Sequence, residues 1–133
     1  NNKLYLSIID KNEILVIDSE KKQIVSRIET GDGPGKIAYS KDKKLLAVMC
    51  QKPQEVLFIS LIDDKVVDKI KFQNIPCSLT FSKDGKQLYA GTTTFDHALN
   101  YIYMYDIENK NTNKIASPVV TPMSLVFISS SLK

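Results

Sequence analysis

A 42-residue spacing runs through most of this 133-residue chain and limits what it can fold into. The run Gly33-Pro34-Gly35-Lys36-Ile37-Ala38-Tyr39-Ser40-Lys41-Asp42 leads into Lys44-Leu45-Leu46-Ala47-Val48. Its counterpart is Ile75-Pro76-Cys77-Ser78-Leu79-Thr80-Phe81-Ser82-Lys83-Asp84, leading into Gln87-Leu88-Tyr89-Ala90-Gly91. Pro34 to Pro76, Tyr39 to Phe81 and Asp42 to Asp84 are each 42 positions apart, and Thr121-Pro122-Met123 opens another copy 46 positions after Pro76. Ile14-Leu15-Val16-Ile17-Asp18, Val56-Leu57-Phe58-Ile59-Ser60 and Ile102-Tyr103-Met104-Tyr105-Asp106 align at the same two spacings. Self-similarity at a period of this size marks one supersecondary unit per period, stacked on its neighbours.

Each period reads as four short strands, because runs of Val, Ile, Leu, Tyr and Phe are broken every few residues by Asp, Lys, Asn, Gly or Pro. The spacing predicts three strands near 3–8, 13–18 and 23–29, four within 35–72, four within 77–117, and one near 123–128. Asp84-Gly85 between two apolar runs is a hairpin signal. No window has the 3.6-residue periodicity and caps of an amphipathic helix. The inner runs, such as Val56 to Ile59, are apolar at every position, so both faces of those strands must be covered. The last run of each period is mixed, as in Gln23 to Glu29, and reads as a wet edge. Sheets of four strands, dry on both faces and stacked on copies of themselves, are β-propeller blades. A β-sandwich would account for the strands but not for the period.

The segment from Val16 to Val48 carries a family resemblance. Its Ile17-Asp18 strand end, the Gly31-x-x-Pro34 corner and the Ser-x-Asp hairpin resemble the YVTN/WD40-like β-propeller repeat proteins. Three departures stand out: Lys43 rather than Gly follows Asp42, Ser60 replaces an Asp, and the Gly-His and Trp-Asp pairs of strict WD40 repeats are missing. The resemblance implies an all-β propeller segment. The first blade would take strands b to d over 1–30, the second blade 31–72 and the third blade 73–117, with the first strand of a further blade in 118–133. It also implies two alternatives to a non-catalytic scaffold: part of a lactonase-like or haem-binding propeller enzyme, or a WD-repeat scaffold of cilia and flagella, the latter resting on Leu88 to Thr92 and Thr121 to Leu125. Three blade equivalents fall short of the ~4–8 of a closed ring. The chain is therefore expected to be a fragment of a longer propeller protein, with a protomer that completes a ring with a copy of itself as the alternative. The partners expected are other proteins, together with the remaining blades of its own propeller or a second copy of the chain.

Candidate chemistry is sparse. His97 is the single histidine, in the Thr92-to-Asn100 segment that lengthens the third period, and one His beside Asp96 does not make a metal site. Cys50 and Cys77 form neither a disulfide framework nor a Cys-x-x-Cys pair; they read as small buried hydrophobes and favour a reducing, cytoplasmic interior. No catalytic, cofactor-binding or metal-binding residue is assigned, which points away from an enzyme. Seventeen of the eighteen basic residues are lysines scattered among Asp, Glu and Asn, so the +3 net charge describes solvated turns rather than a nucleic-acid groove. No apolar run approaches the ~18 residues of a membrane span. In an up-and-down blade the b–c loops and the inter-blade connections emerge at one end, and loops on rigid scaffolds carry recognition. Phe95, Asp96 and His97, in the longest insertion at that end, are the candidate partner-binding residues.

Overall fold

A computed structural model describes residues 2–94, 100–116 and 128. It is all-β, apart from one 3-10 turn over Ile9–Lys11. Sheet 1 holds β1 (Lys3–Ile8), β2 (Glu13–Asp18) and β3 (Gln23–Glu29). Sheet 2 holds β4 (Asp32–Ser40), β5 (Leu45–Lys52), β6 (Glu55–Ser60) and β7 (Lys65–Lys71). Sheet 3 holds β8 (Ile75–Phe81), β9 (Gln87–Thr93), β10 (Tyr101–Asp106) and β11 (Thr112–Ala116). Within each sheet the strands lie in chain order and pair antiparallel, and the three sheets do not close into a ring among the described residues. This is the architecture of a partial β-propeller. Most of the expected strand at 123–128 lies outside the described residues.

The repeat is structural down to its irregularities. Register shifts fall between Val16 and Ile17 in sheet 1 and, exactly one period on, between Phe58 and Ile59 in sheet 2. Each leaves one residue of the outer strand unpaired, Val25 and Val67, in the manner of a β-bulge. A second pair of shifts follows Pro34 and Pro76. The apolar runs place the innermost strands at 35–40 and 77–82, whereas the structure starts them at Asp32 and Ile75. Proline has no N–H to give a ladder, yet Pro34 and Pro76 are fully buried inside these strands, each beside a bulge where the ladder is already interrupted.

The turn between the last two strands of each sheet is also built alike. Asp18 Oδ1 accepts the backbone N–H groups of Glu20 and Lys21 at 3.0 and 2.9 Å, and Asp106 Oδ1 accepts those of Glu108 and Asn109 at 2.9 and 2.8 Å. Ser60, at the matching position, accepts one, from Ile62 at 3.2 Å. These are side chain-to-backbone turns of the Asx and Ser type. Lys22, Asp64 and Lys110 close them at φ 54, 57 and 57°. A left-handed backbone is uncommon for Lys, so the turn geometry overrides residue preference here. The hairpin between β8 and β9 uses Gly85 at φ 69°, where a Cβ would collide with the Ser40 hydroxyl of the neighbouring sheet.

Apolar residues join the sheets flank to flank. Ile14, Val16 and Ile28 of sheet 1 pack on Leu46, Val48 and Ile59 of sheet 2. The opposite flank of sheet 2, with Ala47, Met49, Val56 and Phe58, packs on Leu88, Ala90, Tyr103 and Tyr105 of sheet 3. Phe58 stacks on Tyr105 with ring centroids 5.7 Å apart. Sheet 2 is thus dry on both flanks, as its uninterrupted apolar runs require, while β7 and β11 form exposed edges.

Two outcomes follow. Phe58→Ala, which empties the centre of the joint between sheets 2 and 3, destabilises the chain by about 3–5 kcal/mol in urea unfolding, while Val25→Ala on an exposed bulge changes it by less than about 0.5 kcal/mol. Backbone N–H groups hold the Asp18 and Asp106 carboxyls below the ordinary aspartate range, and the Ser82 hydroxyl does the same for Asp84. Because folding depresses these values, the stability they contribute is complete above the unfolded aspartate pKa of about 3.9 and disappears as pH falls through the folded values. Thermal scans from about pH 6 to about pH 2 therefore show Tm falling at the acid end, and Asp106→Asn makes that fall shallower.

Candidate functional site

The end of the sheets that carries the b–c loops and the inter-sheet connections is held by bonds that recur with the repeat. Thr30 N–H donates to the Asn12 carbonyl at 2.9 Å, and one period on Phe72 N–H donates to the Gln54 carbonyl at 2.8 Å. Asn12 then bridges forward: its Nδ2 donates to Asp32 Oδ1 at 2.8 Å, and its Oδ1 accepts the Gly33 N–H at 3.1 Å. Gly31 runs so close beneath the next loop that a Cβ there would lie 2.9 Å from the Lys52 carbonyl oxygen. Tyr103, packed edge-on against Phe72 at 4.9 Å, sends its hydroxyl to Asn74 Oδ1 at 3.4 Å. Among the described residues this end is a pinned polar platform rather than a set of loose loops.

Just beneath the platform lies an ion-pair position that reading the sequence for motifs overlooked. Glu13 Oε1 accepts from Arg27 Nη1 at 2.5 Å in sheet 1. At the matching sites in sheet 2, Glu55 is 3% exposed, and its Oε2, with no hydrogen bond of its own, faces Lys69 Nζ at 4.0 Å. In sheet 3 the carboxylate is replaced by Tyr101, and Lys114 Nζ sits 4.5 Å above that ring, so a cation–π contact takes the place of the ion pair. The available signal was that Glu13 and Glu55, and likewise Arg27 and Lys69, are separated by one full period. It passed unseen because lone charges in strands carry no motif.

At the other end of the sheets a cleft of about 560 Å³ opens between sheets 1 and 2, beside Lys3, Tyr5, Ile37 and Tyr39. Its polar groups are engaged with one another. Tyr5 Oη donates to Asp64 Oδ1 at 2.6 Å and Lys3 Nζ lies 2.5 Å from Asp64 Oδ2, tying sheet 1 to the turn of sheet 2. Burial first, and then the bond to Asp64, push the Tyr5 phenol well above its ordinary value, so it stays a donor. Burial likewise raises both thiols; Cys50 is buried, and Cys77 donates to the Gly91 carbonyl at 3.2 Å. A thiol held protonated is a poor nucleophile.

Phe95, Asp96 and His97 lie outside the described residues, between β9 and β10. The connection they belong to, residues 94–100, contrasts with the short link of Pro53 and Gln54 between β5 and β6. Among the described residues no group of three or more His, Cys, Asp or Glu side chains could hold a metal ion, and no helix is long and apolar enough to cross a membrane.

No protein-family model matches the chain, and no curated protein matches it in sequence. Solved structures do share its fold. Kuenenia stuttgartiensis hydrazine synthase superposes with a TM-score of 0.81 at 18% identity, over 92% of this chain and 34% of that one. The dihydro-heme d1 dehydrogenase NirN, solved in complex with DHE, gives 0.72 at 16% identity, over 89% of this chain and 24% of its own. A functionally unknown protein from Desulfotomaculum acetoxidans gives 0.75 at 16% identity, over 89% and 38%. The chain thus spans between about a quarter and two fifths of these structures. Such likenesses establish the propeller-type fold, and the fold alone.

The close approach at Gly31 has a direct consequence. Gly31→Ala pushes a methyl group against a backbone carbonyl that cannot swing aside, and lowers unfolding stability by about 1–3 kcal/mol in a denaturant titration.

Proposed function

We propose that the chain is a non-catalytic interaction scaffold, with propeller blades over 1–30, 31–72 and 73–117 and the first strand of another blade in 118–133. The observation that carries this reading is the contrast at the loop end. There the described loops are pinned by repeated backbone bonds, while the 94–100 connection is where the third repeat outgrows the period of the others. A rigid frame presenting one extended connection suits recognition of another protein, since little ordering entropy remains to be lost on binding. Phe95 supplies the apolar contact, and Asp96 and His97 supply polar ones. Hydrazine synthase and the d1 dehydrogenase are enzymes by name; at 16–18% identity their chemistry is not carried over to this chain.

A photo-crosslinking residue placed at position 97 in cells tests this, with one at Lys21 on the opposite end as the control. Position 97 is expected to give a discrete crosslinked species and Lys21 none. Phe95→Ala with His97→Ala abolishes the partner's binding and leaves Tm unchanged. Equal crosslinking from both ends, or a double variant that only lowers Tm, overturns the reading.

A further inference from the structure

Each joint inside the chain is made of two different flanks. The flank with Val16, or one period later Phe58, meets the flank with Leu46 and Ile59, or later Leu88 and Tyr105. Among the described residues one flank of each kind is left open. On sheet 1 it is the flank of Leu4, Leu6, Leu15 and Ile17, which stand one period before Leu46, Val48, Leu57 and Ile59. Leu4 and Leu6 are 56% and 46% exposed, against 4% and 0% for Leu46 and Val48. On sheet 3 it is the flank of Ile102 and Met104, which stand one lengthened period after the buried Val56 and Phe58 and are only half-buried themselves. Ile115, paired with Ile102, extends that flank and is 52% exposed.

The two open flanks are the two halves of the joint that the chain already forms twice. We propose that a second copy of this chain covers them: sheet 3 of each copy seats on sheet 1 of the other. Two identical head-to-tail joints between two such 133-residue chains then close a six-sheet ring with two-fold symmetry, in which both described open flanks are covered. Six falls within the ~4–8 blades of closed propellers, and an open stack would instead leave large apolar areas in water. By the repeat, the Phe58–Tyr105 contact becomes Met104 against Ile17 of the second copy. Charge at the turns is compatible as well. Glu108 pairs with Lys43 at 2.6 Å across the joint between sheets 2 and 3; at the new joint Glu20 takes the place of Glu108 and Gly85 that of Lys43, in a turn whose flanking residues include Lys83 and Lys86. The Lys110–Asp68 pair has no counterpart, because Asn113 occupies the position of Asp68, so the new joint rests mainly on its apolar contacts.

Sedimentation and light scattering of the purified 133-residue chain test this. The expected mass is twice the 15.0 kDa of one chain. Ile17→Lys and Met104→Glu, each on a flank half-buried in the single chain, are each expected to run at the mass of one chain with an unchanged far-UV circular dichroism spectrum. Mixing the two variants is expected to restore the double mass, because one joint then pairs Lys with Glu and the other is wild type. A wild-type chain that stays single, assembly that continues past two copies, a double mass that survives both variants, or a mixture that stays single overturns the proposal. So does a chain that remains single until a different protein supplies further blades.

Discussion

Burial of apolar side chains on both flanks of sheet 2 is the interaction on which the rest of the arrangement depends. A sheet with one wet face can end a stack but cannot continue one. Every residue of β5 from Leu46 to Cys50 and of β6 from Glu55 to Ile59 is buried, so this sheet demands a neighbour on either side. At roughly 1.5–3 kcal/mol for each large apolar side chain taken out of water, the two joints supply the main term opposing chain entropy. They are built with different volumes. The joint between sheets 1 and 2 combines Tyr5 and Val48 with Val16 and Ile59, whereas the next sets Ala47 and Ala90 around Phe58, Tyr103 and Tyr105. Small residues on the b strands, Ala47 and Ala90, make room for rings on the c strands.

Around that core, the repeat preserves geometry more faithfully than residue identity. The left-handed turn residue is Lys, Asp and Lys in succession; the turn acceptor is Asp, Ser and Asp; the charged position below the platform is filled by Glu–Arg, Glu–Lys and then Tyr–Lys. In each case the backbone asks for a function, whether an acceptor for turn N–H groups or a cation's partner, and more than one side chain can perform it. This explains how the fold survives at 16–18% identity to its structural neighbours. Few positions are restricted to one residue. Gly85 is one, since both its φ and its contact with Ser40 exclude a side chain.

The two ends of the sheets differ in character. At the cleft end, Lys3, Tyr5 and Asp64 satisfy one another and clamp sheet 1 to sheet 2. At the platform end, Thr30 N–H donates to the Asn12 carbonyl while the Asn12 side chain bridges to the Asp32 carboxylate and the Gly33 N–H at the start of β4, which fastens the end of sheet 1 to the start of sheet 2. Both ends thus carry polar contacts that lock sheet 1 to sheet 2, one set through a turn and the other through a loop.

Much of this was legible in the chain itself. The 42-residue period and the all-apolar runs Val56–Ile59 and Ile102–Tyr105, in a sequence without amphipathic helix patterns to cover them, determined sheets stacked on copies of themselves, because strands with no polar face must be covered on both sides. Strand starts at Asp32 and Ile75 were not legible, because proline ordinarily ends a strand and only the bulges beside Pro34 and Pro76 reconcile it with one. The Glu55–Lys69 position was hidden for a related reason: its meaning comes from facing strands, and a linear string does not show which lone charges face each other. Only the tertiary structure decided which flanks are covered. Leu4 and Leu46 occupy the same place in the repeat, and what separates an exposed leucine from a buried one is the sheet that packs against it.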